Sequence, residues 1–556
     1  MKKQGFLQCS AILIISVIVS KAVGALFRIP LANLIGGVGM GYFGGAYGLF
    51  LPIYAVFVTG LSSASARLMA ESSVLYGASG EKAVKKYSLR SFGVVGVIGT
   101  VVIIVLARPF CMYIIESQQV YISVIAIAPS VFFSCITAAY RGCREGQRNM
   151  YPTAVSQIAE GITKLVCGLV FCVAVLKKPD YFLKLSEGIC DDIYALASAA
   201  AVLGVTLSSF MGMLYMIADD IFAKRKISSD YFGCKLPPSR EFVKSLVKIA
   251  VPVAVSSLLT NLTSLVDLAT IMKCVNRSVA KSPGYYLQRY SFIGEIGEEN
   301  FASFVYGSFN GLAITIFNLV PSVTNMFGKS VLPAVTDAWT QKDSSCLEKN
   351  IRDALRATAV IAVPAGLGMC VTAKEILTFL FPTSCNEVTL ASESLVFLAP
   401  AVIFLSVSYP MFCILQAIGK ENCPVKIMLV GVIVKIAGNI CFIGVPKLNA
   451  AGAALSTLIC YVVIFVLSFA YVKRYTGLKD GVFRIFAGPF HSGLLCMASA
   501  WVCRCTVMRI TDNNTVILMS SVFAGGVIYI FSLWLMNIQL KKNFLSDSNK
   551  RNYYIH

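Results

Sequence analysis

Fourteen apolar stretches, each about as long as a bilayer is thick, run through this chain of 556 residues. They cover approximately 11–35, 40–63, 88–112, 120–140, 152–176, 193–218, 246–272, 304–327, 354–373, 395–418, 425–445, 450–472, 483–502 and 516–536. A hydrocarbon core about 30 Å thick needs roughly 20 apolar residues per helix, which these runs supply. They are continuous rather than alternating, and too long for barrel strands, so helices are expected. The first run holds Lys21 and Arg28 and has no small-residue cleavage site, so it reads as a span rather than a cleaved leader.

Composition agrees. Hydrophobic residues make up 57% of the chain and charged residues only 14%, against roughly 25% charged in soluble domains. An ordinary soluble enzyme could not clothe its surface with so few charges. The 19 cysteines lie mostly in apolar runs without a CxxC pair, and the two histidines are His491 and His556. No zinc or haem site is expected from such a set, and the thiols read as structural and reduced. Gly328-Lys329-Ser330 looks like the end of a phosphate-binding loop, but position 323 is Val323 where the first glycine belongs. No catalytic residues, metal or cofactor are expected.

The formal net charge is +20. If the N-terminus is cytoplasmic, inward segments hold 32 Lys and Arg and outward segments 12. That bias predicts both termini inside and makes most of the excess an orientation signal rather than a nucleic-acid patch.

The chain also echoes itself at an offset of about 270. Leu89-Arg90 with Arg108 matches Leu355-Arg356 with Lys374, and Gly146 to Pro152 matches Gly419 to Pro424. Spans 1–6 would then correspond to spans 7–12 in the same orientation, a parallel repeat about an axis along the membrane normal. The expected organisation is an N-terminal lobe at 1–222, a cytoplasmic linker at 223–245, a C-terminal lobe at 246–474, extra spans at 475–540 and a cytoplasmic tail at 541–556.

Charges inside spans are costly, roughly 2.5–3.5 kcal/mol each on insertion scales, and mark functional positions. The deep basic set is Lys21, Arg28, Lys164 and Lys435, and the deep acidic set is Glu160 and Asp267. Lys21 and Arg28 share a face of span 1, as do Lys435 and Asn439 of span 11. Glu160 and Lys164, four apart, either pair with each other or face a shared watery cavity. A net-positive cavity suits a phosphate or pyrophosphate, and Asp267 and Glu160 are candidates for ion coupling. Span 2 carries Gly41, Gly44, Gly45 and Gly48 and then Pro52, a pattern that serves either close helix packing or bending.

The stretch Ser20-Lys21-Ala22-Val23-Gly24-Ala25-Leu26-Phe27-Arg28-Ile29-Pro30-Leu31-Ala32-Asn33-Leu34-Ile35-Gly36, followed by Gly39-Met40-Gly41, resembles the start of the stage V sporulation protein B family. That family lies in the polysaccharide-flippase branch of the MOP superfamily, beside MurJ. The resemblance implies a MATE/MurJ-like fold: an all-α polytopic membrane protein of about fourteen transmembrane helices, with two six-helix lobes related by a parallel pseudo-two-fold repeat plus two C-terminal helices. It also implies an alternating-access flippase for undecaprenyl-pyrophosphate-linked oligosaccharide, of the peptidoglycan-precursor kind, in a bacterial plasma membrane. MurJ-like cavities carry an acidic residue early in span 2 and basic residues after its Leu-Pro. Here Gly41-Tyr42-Phe43-Gly44-Gly45 precedes Leu51-Pro52 and Val56-Phe57 follows it, so the basic position that carries over is Arg28. The expected partners are the lipid-linked substrate and membrane lipids, without nucleic acid, and a monomer is expected. The competing expectations are a MATE-like cation-coupled drug exporter, disfavoured by the basic cavity, and a membrane-embedded glycan transferase, which lacks a polar catalytic loop.

Overall fold

A computed structural model describes residues 6–147, 149–186, 191–223, 239–478 and 481–552, and every regular element among them is helical. Most of the expected linker and the last four residues of the expected tail lie outside the described residues. Twelve helices are long and apolar enough to cross a membrane, thirteen if the bent pair Glu298–Phe317 and Leu319–Thr340 counts as one more.

The helices fall into two compact units, Met1–Leu312 with Asn439–Ala450, and Ala313–Gly438 with Ala451–His556. In the first unit α1 runs Phe6–Tyr54, α2 Gly60–Leu75, α3 Gly77–Phe110, α4 Val120–Ile127, α5 Pro129–Gly146, α6 Tyr151–Lys177, α7 Pro179–Leu185 and α8 Ile193–Ala223. It continues with α9 Ser239–Lys281, α10 Pro283–Arg289, α11 Ile293–Ile296 and α12 Glu298–Gly307. The rest of the chain forms α13 Ile314–Phe317, α14 Leu319–Thr340, α15 Ser344–Leu380, α16 Cys385–Ala417, α17 Asn422–Ile443, α18 Asn449–Thr476, α19 Val482–Val507 and α20 Asn514–Asn552. Packing thus gathers α9 and α12, the opening helices of the expected second lobe, into the first unit.

α1 is two helices joined at Gly36, whose φ of 61° and ψ of −169° belong to a region open essentially to glycine alone. The break falls where one apolar run ends and the next begins. Several helices turn a row of large apolar side chains outward. On α3, Val94, Val97, Val101, Ile104 and Val105 are exposed while Gly96, Gly99 and Ile103 are buried. On α20, Phe523 is 74% exposed and Ile530 70%. Such faces fit lipid, and the small residues face neighbouring helices. Gly142 and Gly146 of α5 abut the Ser62 and Ala66 carbonyls of α2, and Gly204 of α8 rests on the Gly168 backbone of α6. None of the described cysteines is joined to another.

Prolines inside helices free the carbonyl four residues earlier. At two prolines of the second unit, neighbouring helices supply the missing donor. Pro364 leaves the Val360 carbonyl open, and Tyr529 of α20 donates its hydroxyl to it at 2.8 Å. Pro400 leaves the Val396 carbonyl open, and Cys370 Sγ donates to it at 3.7 Å. Tyr529→Phe is therefore expected to cost about 0.5–2 kcal/mol, read as a lower melting temperature in detergent. In a Pro364→Ala background the helix makes its own bond to Val360, so the penalty should vanish. An equal penalty in both backgrounds would refute this assignment. Arg504 of α19 adds a second tie, donating to the buried Glu375 of α15 at 2.8 Å.

Between α9 and α12, the short helices α10 and α11 pack within the first unit. Tyr286 and Tyr290 are buried against Phe301. Asn449, held at a left-handed φ of 45°, accepts from the Tyr286 hydroxyl at 2.9 Å and donates to the Tyr290 hydroxyl at 3.2 Å. Burial pushes the Tyr286 phenol above its ordinary range, which keeps it protonated as the donor this contact needs.

Candidate functional site

Two polar clusters lie within the spanning helices of the first unit. The first gathers α5 and α6. Glu160 and Lys164 sit one turn apart on α6, as an i,i+4 pair would, yet they do not bond to each other. Arg141 of α5 takes Glu160, Nη2 to Oε1 at 2.8 Å, while its Nε donates to Ser156 at 2.8 Å. Gly212 of α8 makes the room, since a Cβ there would collide with the Glu160 carboxylate. Lys164 turns instead to α1. Its Nζ donates to the Tyr47 hydroxyl at 3.1 Å and lies 4.9 Å from the Phe27 ring centroid and 5.4 Å from that of Tyr47. Among the described residues, the partners of Lys164 are neutral.

A second cluster gathers α1, α9, α12 and the end of α17. Asp267 is buried at 5% exposure, and Asn439, fully buried, donates to its Oδ1 at 3.0 Å and to Thr270 Oγ1 at 2.8 Å. Tyr306 of α12 sets its ring against Gly44 of α1, and Leu268, the neighbour of Asp267, lies against Gly48 of the same helix. The structure thus brings Asp267 and Asn439 together, and Glu160 and Lys164 into another neighbourhood around Tyr47 and Arg141, while Arg28 stands partly exposed on α1. Lys435 is buried at 3% exposure in the second unit, one turn before Asn439 on the same helix, and its carbonyl accepts from Ser456 at 3.0 Å. Lys21 lies in α1 with its side chain outside the described residues.

The span-2 glycines are points of contact in this conformation. A Cβ at Gly41 would meet the Ser303 carbonyl, at Gly44 the Tyr306 ring at 2.8 Å, at Gly45 Val120 Cγ1 at 2.9 Å, and at Gly48 Leu268. Gly37 and Gly41 of α1 lie directly against Gly307 of α12, so the two backbones touch. Pro52 follows, and the chain widens into a π-helical turn over Ala55–Thr59 before α2, the kind of local widening that a nearby proline favours. A further close approach sets Gly60 of α2 on the Ala250 carbonyl of α9.

Residue patterns did not disclose Arg141, Tyr47, Tyr306 or Gly212. Arg141 reads in sequence as part of the inward charge bias, and its nineteen-residue separation from Glu160 matches no helical period. Tyr306 and Gly212 lie in apolar runs with nothing to distinguish them, and Tyr47 gains meaning only when Lys164 is placed beside it.

Comparison with known proteins shows what the chain is similar to. Stage V sporulation protein B of Bacillus subtilis (strain 168) is 23% identical over 478 residues, covering 85% of this chain and 85% of that protein. Lipid II flippase MurJ of the same organism is 21% identical over 483 residues, covering 84% of this chain and 82% of that protein. Among solved structures, the inward closed conformation of lipid II flippase MurJ superposes with a TM-score of 0.67 at 15% identity, covering 96% of this chain and 99% of that one. An inward-facing MATE-family multidrug resistance transporter of the MOP superfamily gives 0.60 at 16% identity, covering 84% and 99%. These likenesses are of fold, and they agree with the all-α polytopic architecture. The family model described as Lipid II flippase MurJ matches residues 76–531. This multi-pass membrane protein, most of whose length fits that model, belongs to the lipid II flippase MurJ family, a family of flippases rather than catalytic enzymes.

Proposed function

We propose that the chain moves an undecaprenyl-pyrophosphate-linked oligosaccharide, of the peptidoglycan-precursor class, across a bacterial plasma membrane by alternating access, with both termini cytoplasmic. The observation that carries this reading is Lys164. Because Arg141 claims Glu160, the Lys164 ammonium sits inside the spans with a phenol and two aromatic rings. A cation so placed favours an anionic guest, and a pyrophosphate offers several charge-assisted acceptors. Arg28, with Lys21 and Lys435 as helpers, would hold the diphosphate, while Asn439, whose amide hydrogens go to Asp267 and Thr270, would hold Asp267 in place beside it. Asp267 is the candidate for ion coupling, since Glu160 is engaged by Arg141. The glycine contacts at Gly41, Gly44, Gly45 and Gly48, and the π-turn after Pro52, are proposed to be remade as the lobes at 1–222 and 246–474 rock.

Arg28→Ala is expected to slow transport of undecaprenyl-pyrophosphate disaccharide in proteoliposomes by about tenfold or more at unchanged protein level, the loss of one charge-assisted contact to phosphate. Full transport by the variant would remove Arg28 from this role. Depleting the protein in cells should in parallel cause a lipid-linked precursor to accumulate on the inner leaflet.

A further inference from the structure

Four rings line one face of α1. Phe43, Tyr47, Phe50 and Tyr54 follow at steps of four, three and four residues, with successive centroids 4.8, 5.8 and 5.3 Å apart, and Phe27 joins Phe43 at 6.0 Å. A stripe of this spacing is ordinarily core, and Phe27 and Phe43 are core, at 0% and 1% exposure. Tyr47 and Tyr54 differ. Both are partly exposed, and the stripe has a charged fringe. Lys164 lies at the Tyr47 hydroxyl, and the Glu160–Arg141 pair stands one turn from Lys164 along α6. Charged side chains in spanning helices are not turned to lipid, so the open edges of these two rings border a polar path.

We propose that Tyr47 and Tyr54, backed by Phe43 and Phe50, form a stacking track for the saccharide of the transported lipid. This rests on the flippase reading above and adds to it the part of the substrate that the track contacts. A pyranose presents a face of C–H groups with a slight positive character, which the negative face of an aromatic ring attracts. Its rim of hydroxyls both donates and accepts, and the fringe offers donors in Lys164 and Arg141 and an acceptor in Glu160. Seven residues of helix separate Tyr47 from Tyr54, about 10 Å at 1.5 Å per residue, which suits two linked pyranose rings rather than one. Lys164, at the Tyr47 end, would then contact the diphosphate and the first sugar together.

The test uses the purified full chain in nanodiscs and two probes, undecaprenyl pyrophosphate without sugar and the same lipid carrying a disaccharide, with binding followed by thermophoresis. The disaccharide should raise affinity about tenfold, and Tyr54→Leu should remove about fivefold of that gain while Tyr54→Phe retains it. Melting temperatures of the two variants confirm that each is folded. Tyr47→Phe, which keeps the ring and loses the hydroxyl, should keep most of the sugar-dependent gain. A gain that survives Tyr54→Leu undiminished, or that is absent from the unmodified protein, overturns the sugar track and leaves the flippase reading standing. Failure of the unmodified protein to bind either lipid overturns both.

Discussion

Replacing Gly307 with alanine is expected to damage the first unit more than any other single-methyl change. A Cβ at this position would fall on the Gly37 carbonyl and the Gly41 nitrogen of α1. The obstacle is backbone, so no rotamer change relieves it, and the helices must part. Gly41 meets the Ser303 carbonyl from the other side of the same crossing, so the strain cannot be passed along the helix pair. Overpacking of this kind costs about 1–3 kcal/mol for one methyl and more for a branched side chain. Gly307→Ala should therefore melt lower in detergent by a corresponding amount, and Gly307→Val should leave little folded protein in the membrane fraction. Gly24 and Gly526 have open space where a Cβ would go. Alanine at either should be neutral or slightly stabilising, since it improves helix propensity by up to about 1 kcal/mol. Equal tolerance of alanine at Gly307 and Gly526 would mean that the α1–α12 crossing is not a tight contact.

The second large effect separates two neighbouring charges on α6. Glu160→Ala leaves the Arg141 guanidinium facing a void between helices, and breaking a buried pair from one side costs about 2–4 kcal/mol. Removing both charges with Arg141→Gln and Glu160→Gln should recover most of that loss. Lys164→Ala should behave in the opposite way. Its contacts are one hydrogen bond to a phenol and two ring faces, about 1–2 kcal/mol together, so the protein should stay folded. Transport of the pyrophosphate lipid should nonetheless fall by about tenfold or more, with Lys164→Arg keeping much of it. The pair of measurements, melting temperature and transport rate, should diverge between Glu160→Ala and Lys164→Ala. If Lys164→Ala transports normally, the central observation behind the proposed function is lost.

The apolar runs made the polytopic helical fold legible, because a bilayer imposes a length and a composition that few other environments require. The break between the first two runs was also legible in outline, since an apolar run ended there and Gly36 was available for a backbone that other residues avoid. Side-chain pairing was less so. Glu160 and Lys164 had the right spacing for a local bond, but helical spacing counts only the residues of one helix. Arg141 on α5 offered a bidentate-capable guanidinium, with Gly212 on α8 clearing the space for the carboxylate, and that cross-helix geometry prevailed. Arg28 and Asp267 were recognised as deep charges, yet Tyr306, whose ring closes on Gly44, carried no charge to mark it. The glycines of span 2 were visible as a pattern with two readings. Their partners, Ser303, Tyr306, Val120 and Leu268, lie far along the chain on other helices, beyond what a periodicity can reach.

The hydroxyl that Tyr529 gives to the Val360 carbonyl has a consequence for biosynthesis. The two residues are 169 positions apart, so α15 enters the bilayer with an open carbonyl long before the ribosome has made the tyrosine. During that interval the groove beside Pro364 must keep water or borrow a donor from the insertion machinery. Arrival of α20 closes it. The joint therefore acts as a late checkpoint in assembly, and a nascent chain stalled before Tyr529 would display a polar notch on its lipid-facing side for quality-control proteases to find.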